Sequence, residues 1–339
     1  MIPKTLRRGV FLSPLFALLA GCNTVVMNPS GDIAKQEAHL ITVSVILMLL
    51  IIVPVLFLIV WFARKYRASN TEAAYEPDWD HSTKLELVIW GAPLLIIIVL
   101  GLVTWISTHK LDPYRPLDRV AEGRPIPASA KPLIVEAVAM DWKWLFIYPE
   151  QGIATVNELV VPVDVPVRFK ISATSVMNAF YVPELAGMIY AMPGMETALN
   201  AVQNHPVQSE GFSANYSGAG YSDMRFSYRG VAQGDFDGWV QSIKSGGGNL
   251  DRVNYLTLEK PSIKEPVHRY AAVDNDLFYR VLNRCVADGA VCMDKMMNDD
   301  AKKAREMAMR NMPQTAAATR LAQANGAVCT TPNDPVKKK

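Results

Sequence analysis

Side chains able to do chemistry are few in this chain and lie far apart. Four cysteines stand at Cys22, Cys285, Cys292 and Cys329, without a CxxC pair of the kind that holds structural zinc. The histidines His39, His81, His109, His205 and His268 are scattered with no metal-ligand spacing. No Ser–His–Asp or Cys–His arrangement for nucleophilic catalysis stands out. Cys285 and Cys292 are near enough along the chain for a local disulfide, but the sequence leaves open whether their Cβ atoms approach. Glu86 opens a long apolar stretch, where a carboxylate reads most simply as an interfacial or helix N-terminal charge. Met188, Met192 and Met195 offer thioethers to a soft metal, although apolar filling or subunit contact is the plainer account.

The elements that must position these groups are partly membranous. Only 19% of the 339 residues are charged and the mean hydropathy is +0.11, so a membrane portion is expected. A net charge of +2, with no basic stripe interleaved with aromatics, speaks against a nucleic-acid partner. Val10–Ala20, behind Lys4, Arg7 and Arg8, is too short to cross a core about 30 Å thick at about 1.5 Å per residue. It reads as an export signal over residues 1–21. Its end, Leu19-Ala20-Gly21-Cys22, resembles the lipobox of bacterial lipoproteins, which implies that Cys22 carries a diacylglycerol anchor after cleavage.

Two further stretches are long enough to span, and we expect transmembrane helices over 39–63 and 85–107. Arg64, Lys65, Arg67 and Lys84 lie in the loop 64–84, whereas 22–38 holds only Lys35; the positive-inside rule puts that loop in the cytoplasm. An anchored Cys22 gives the same orientation. After a linker over 108–130, short β-type runs at 133–140, 145–148, 159–161, 167–171 and 180–182 alternate with turn signals. They suggest a Greek-key β-sandwich over 131–245 on the periplasmic side. Phe236, Trp239, Val240 and Ile243 fall on one helical face, with Asp235 as its expected N-cap. Residues 246–297 read as a C-terminal extension, and 298–339 as a largely solvated or disordered tail with room for a short helix.

This organisation resembles subunit II of haem–copper oxidases. The likeness tightens at Met140-Asp141-Trp142-Lys143-Trp144, at Phe180-Tyr181-Val182-Pro183-Glu184-Leu185, at Tyr190-Ala191-Met192-Pro193-Gly194-Met195 and over 211–224. It covers nearly everything from Cys22 to about Val267. The fold so implied is a two-helix transmembrane hairpin, a periplasmic cupredoxin-like sandwich and a short C-terminal helical extension.

Copper-bearing members place their late ligands as Cys-x-Glu-x-Cys-x-x-x-His-x-x-Met, after an earlier His. Here the positions are Ser213, Asn215, Ser217, Tyr221 and Met224, and Asn178 stands where the earlier His would be. A serine hydroxyl supplies no anionic bridge and a phenol no imidazole nitrogen, so the copper site is expected to be lost and Met224 to pack. That loss matches the quinol-oxidase branch. The resemblance then implies a structural subunit with no cofactor of its own, while haems, a copper and the ubiquinol pocket belong to subunit I. Implied partners are subunits I, III and IV and membrane lipid, without cytochrome c. It also implies that Glu86 sits at the mouth of a proton channel, and that Trp142 and Trp144 contact subunit I. The competing accounts are a copper-carrying cytochrome c oxidase subunit and a membrane lipoprotein outside any oxidase.

Overall fold

The structure is a computed structural model and describes residues 24–74, 77–127 and 130–310. Cys22 and Cys329 therefore lie outside the described residues, as do the expected signal segment and the chain beyond 310.

Two long helices, α1 (Asp32–Lys65) and α2 (Thr83–Lys110), occupy the apolar stretches. Each exceeds the roughly 20 residues that a bilayer core requires. Pro54 and Pro93 sit inside them without ending them, as membrane helices tolerate. Their side chains face outward: Leu50, Leu56, Phe57 and Ile59 are all more than half exposed, a surface suited to lipid and not to water. The helix α1 starts well before the apolar stretch does. Its first turns leave the span, and Asp32, Ala34 and Ala38 are buried there.

Beyond α2, a small hairpin of β1 (Arg119–Ala121) and β2 (Arg124–Pro125) precedes the main domain. Five strands follow: β3 (Leu133–Met140), β4 (Lys143–Tyr148), β5 (Ile153–Val156), β6 (Glu158–Pro162) and β7 (Pro166–Ala173). The next five are β8 (Asn178–Val182), β9 (Ala186–Ala191), β10 (Thr197–Val202), β11 (Val207–Ser213) and β12 (Arg225–Val231). After the helix α3 (Gln233–Gly246) come β13 (Gly248–Leu250), α4 (Arg252–Leu258), β14 (His268–Val273) and α5 (Leu277–Leu282).

The strands form two sheets, ordered β10-β7-β3-β4-β5-β14-β13 and β6-β12-β11-β8-β9. Trp144, Phe146, Phe169, Phe180 and Phe226 interdigitate in the core, with Trp144 5.4 Å from Phe180 and 5.8 Å from Phe226 between ring centroids. Such edge-to-face packing adds to burial itself.

Several expectations change here. The extension from 246 is not an appendage, because β13 and β14 complete the larger sheet. Asp235 does not cap α3; Ala232 is the N-cap and Asp235 lies in the first turn, where its charge suits the helix dipole. The anticipated buried face of that helix is present, with Phe236, Trp239, Val240 and Ile243 all buried. A separate compact unit begins at Asn283. Within it Cys285 and Cys292 form a disulfide, with Cα atoms 4.8 Å apart. The helix α6 (Met293–Arg310) continues past 298, so the first part of the expected tail is helical.

Candidate functional site

The positions that the resemblance sets against copper ligands converge on one corner of the smaller sheet. Asn178 opens β8, Ser213 closes β11, and a loop returns through a short 3-10 turn at Tyr221–Asp223 to β12. The pairing of β11 with β8 sets Ser213 opposite Phe180. Its hydroxyl donates to Asn178 Oδ1 at 3.0 Å and accepts from the Ala179 N–H at 3.3 Å. Asn215 Nδ2 donates to the Met177 carbonyl at 3.0 Å. Ser217 Oγ lies 3.9 Å from Met224 Sδ, and Met224 is buried in the hydrophobic core. The Tyr221 ring meets Tyr216 at 5.6 Å between centroids.

Trp142 closes the corner from the β3–β4 turn. Its indole N–H donates to the Ser217 carbonyl at 3.0 Å. The ring lies over Gly220, where an added Cβ would fall 2.5 Å from Trp142 Cδ2, so the close approach requires glycine. Trp142 thus packs within the chain and keeps part of its surface free. Trp144 does not match its expected role in subunit contact. It is completely buried between the sheets and has no surface to offer a partner; the strand's alternation turns it inward.

The donor set does not suit a thiolate-bridged copper pair. It offers hydroxyls, carboxamides, a phenol and one thioether, with no thiolate and no imidazole. Among the described residues no group of three or more His, Cys, Asp or Glu side chains is placed to hold a metal ion. Met188 and Met195 are more than half exposed.

Glu86 lies in the first turn of α2, at the other end of the hairpin from the sandwich. About 24 residues of helix separate it from Lys110, roughly 36 Å at about 1.5 Å per residue. Its Oε1 is 2.8 Å from His81 Nδ1, and both side chains are more than half exposed. The carboxylate is therefore open to solvent and joins no buried network among the described residues.

Other polar groups escaped the sequence because nothing in their local pattern marks them. Glu158 on β6 is almost fully buried and holds Arg229 of β12 at 2.9 Å and Arg269 of β14 at 2.7 Å, tying one sheet to the other. Burial pushes its pKa up, but the hydrogen bond and charge of Arg269, with Arg229, outweigh that and hold it below the usual carboxylate range. Lys143, also buried, donates to the Lys260 carbonyl at 2.8 Å and to Ser262 Oγ at 2.5 Å. Burial lowers its pKa, against the opposing pull of Glu265 and Asp141.

Comparison with known proteins accords with this geometry. Residues 149–231 match the family model for the cytochrome c oxidase subunit II periplasmic domain. Residues 244–289 match the COX Aromatic Rich Motif, a stretch that takes in β13, α4, β14 and α5. The periplasmic domain of subunit II of cytochrome oxidase from Bradyrhizobium japonicum aligns at 24% identity and a TM-score of 0.32, over 33% of this chain and 94% of that one. Ubiquinol oxidase subunit 2 of Acetobacter aceti is 44% identical over 295 residues, 87% of this chain and 92% of the relative. Cytochrome bo(3) ubiquinol oxidase subunit 2 of Pseudomonas putida is 48% identical over 267 residues, 79% of this chain and 82% of the relative. With likeness of that degree along most of its length, the chain belongs to the ubiquinol oxidase subunit 2 family: a membrane-anchored haem–copper oxidase subunit II with a periplasmic cupredoxin-like domain.

Proposed function

We propose that this chain is the non-redox subunit II of a proton-pumping ubiquinol oxidase, in which quinol oxidation and reduction of oxygen to water occur in a partner catalytic subunit. The observation that carries this reading is the corner built by Asn178, Ser213 and Asn215, whose neutral groups hydrogen-bond to one another and to the backbone, with the Ser217 hydroxyl beside the Met224 sulfur. A soluble electron carrier needs a relay centre at the periplasmic surface. Ubiquinol arrives through the bilayer and needs none there. The haems and the copper of the oxygen chemistry accordingly belong to subunit I, subunits III and IV complete the complex, and cytochrome c is not a donor.

In the same reading, Cys22 is lipidated after signal cleavage and adds an acyl anchor at the periplasmic face. Glu86, exposed at the cytoplasmic end of α2 beside His81, takes up protons for subunit I.

Purification in mild detergent through a tag on this chain tests the central claim. Haem bands and ubiquinol-driven oxygen uptake are expected, with no copper on the isolated periplasmic chain and no cytochrome c oxidation. Copper bound at the corner, or a colourless preparation without partners, would overturn it. Glu86→Ala is expected to slow turnover about tenfold in a fully assembled enzyme. An unchanged rate and unchanged proton pumping in that variant would remove Glu86 from proton uptake.

A further inference from the structure

Between the periplasmic ends of α1 and α2 lies a cavity of about 580 Å³, within the range of about 300–1,000 Å³ usual for small-molecule sites. Its walls include Lys35 and His39 of α1, Lys110 at the end of α2, Arg119 and Glu122 of the β1–β2 hairpin, and Asn204 just after β10. The depth of this cavity in the bilayer follows from the sequence. The uncharged stretches of the spans run from Leu40 to Phe62 and from Leu87 to Ile106, so Lys35, His39 and Lys110 lie just outside the hydrocarbon, at headgroup level.

The charges are unevenly matched. Arg119 is neutralised by Asp32, with Nε 3.0 Å from its carboxylate. Lys110 makes no ion pair among the described residues, and Lys35 Nζ approaches only the imidazole His205 Nε2, at 3.4 Å. Glu122 is likewise unpaired among the described residues. Asn204 is 7% exposed and gives its Nδ2 to the Val120 carbonyl and Asp164, leaving its buried Oδ1 without a donor. Two cations, one carboxylate and one unused acceptor thus share a cavity at the membrane surface. Leu40 and Ser107 continue its wall toward the hydrocarbon.

We propose that this cavity binds the headgroup of a glycerophospholipid from the periplasmic leaflet, with the phosphate on Lys35 and Lys110 and the headgroup's ammonium or hydroxyl toward Glu122 and Asn204. A phosphate alone would satisfy the lysines. It would leave the carboxylate and the amide oxygen unmatched and the apolar side of the wall uncovered. Basic pockets between membrane helices recognise lipid headgroups by this combination of charge and depth.

The test is native mass spectrometry of the assembly purified through a tag on this chain, comparing wild type with Lys35→Gln/Lys110→Gln and with the charge-preserving Lys35→Arg/Lys110→Arg. Lys65→Gln, at the cytoplasmic end of α1, controls for general loss of charge. One retained phospholipid is expected in wild type, in the arginine variant and in Lys65→Gln. Retention in the glutamine variant should be about tenfold lower for each lysine removed. Detergent-stripped protein should recover the lipid from vesicles of phosphatidylethanolamine and phosphatidylglycerol, and millimolar inorganic phosphate should not compete. Equal retention in the glutamine variant overturns the proposal. Displacement by inorganic phosphate also overturns it, and would make the cavity a free-anion site.

Discussion

The ligand-like corner and the junction between α1 and the sandwich are both polar assemblies, yet they hold the chain in different ways. At the junction, charged acceptors reach across great lengths of sequence. Glu184 takes the Ser30 N–H at 3.0 Å and the Ser30 hydroxyl at 2.6 Å, while its own carbonyl accepts from Gly31 at 2.7 Å. Arg119 forks onto Asp32 at 3.0 and 3.2 Å, and Glu37 receives the Gly187 N–H at 3.1 Å. At the corner, neutral groups join neighbouring loops of one sheet. The contrast is that of a docking joint and a neutral hydrogen-bonded loop. Ionised partners orient a membrane helix on a domain, whereas hydroxyls and amides satisfy one another and the nearby backbone.

Breaking the joint should therefore cost more than breaking the corner. The largest effect is expected for Gly31→Val. A Cβ there would lie 2.5 Å from the Leu185 carbonyl oxygen, backbone that cannot swing aside. A loss of about 3 kcal/mol is expected, read as a lower Tm of the purified protein and as new protease cleavage near residue 31. Glu184→Ala should cost about 2 kcal/mol, since it strands the Ser30 N–H and hydroxyl together. Ser213→Ala should cost about 1 kcal/mol, the worth of a neutral buried pair. If Ser213→Ala proved the more damaging of these two in the same melting experiment, the contrast between joint and corner would fail.

The smallest effect sharpens the point from another side. Glu136 on β3 makes no direct ion pair among the described residues, and burial raises its pKa to about 7, against a partial pull from Lys170 and a push from Glu196. A carboxyl raised in the folded state favours folding while protonated. Its contribution is lost as pH climbs from about 4.5 to about 7. Glu136→Gln should flatten the stability profile across that window and raise the stability at pH 8, read as a higher Tm, by under about 1 kcal/mol because the side chain is partly exposed. A profile unchanged from wild type would show that Lys170 already neutralises the group.

Much of this was legible in the residues. Length and hydropathy place both spans, and the run Leu133–Met140 coincides with β3. The i, i+3, i+4, i+7 pattern of Phe236, Trp239, Val240 and Ile243 marks the buried face of α3. Two of the strands that escaped notice carry little signal in their residues. In β10, Thr197–Val202 mixes small and polar side chains, and β11 alternates polar residues with a glycine. Their strand identity comes from pairing with β7 and β12, a long-range property. The corner's positions were named by the resemblance to the family's ligand loop, which this chain matches residue by residue. That Ser213 bonds Asn178 and that Trp142 covers Gly220 was not legible.

What the sequence by itself determined are the features set by local composition: two spans of sufficient length, their orientation from flanking lysines and arginines, a β-rich exported domain, and the absence of thiolates and imidazoles where a copper pair would need them. Only the tertiary structure decided that Trp144 faces inward, that β13 and β14 finish the larger sheet, that Glu158 binds Arg229 and Arg269, and that α1 is seated by Glu184 and Arg119. The reason is physical. Hydropathy and ligand chemistry are properties of single residues and short windows, whereas burial of a charge is tolerated only once a partner far along the chain has been folded against it.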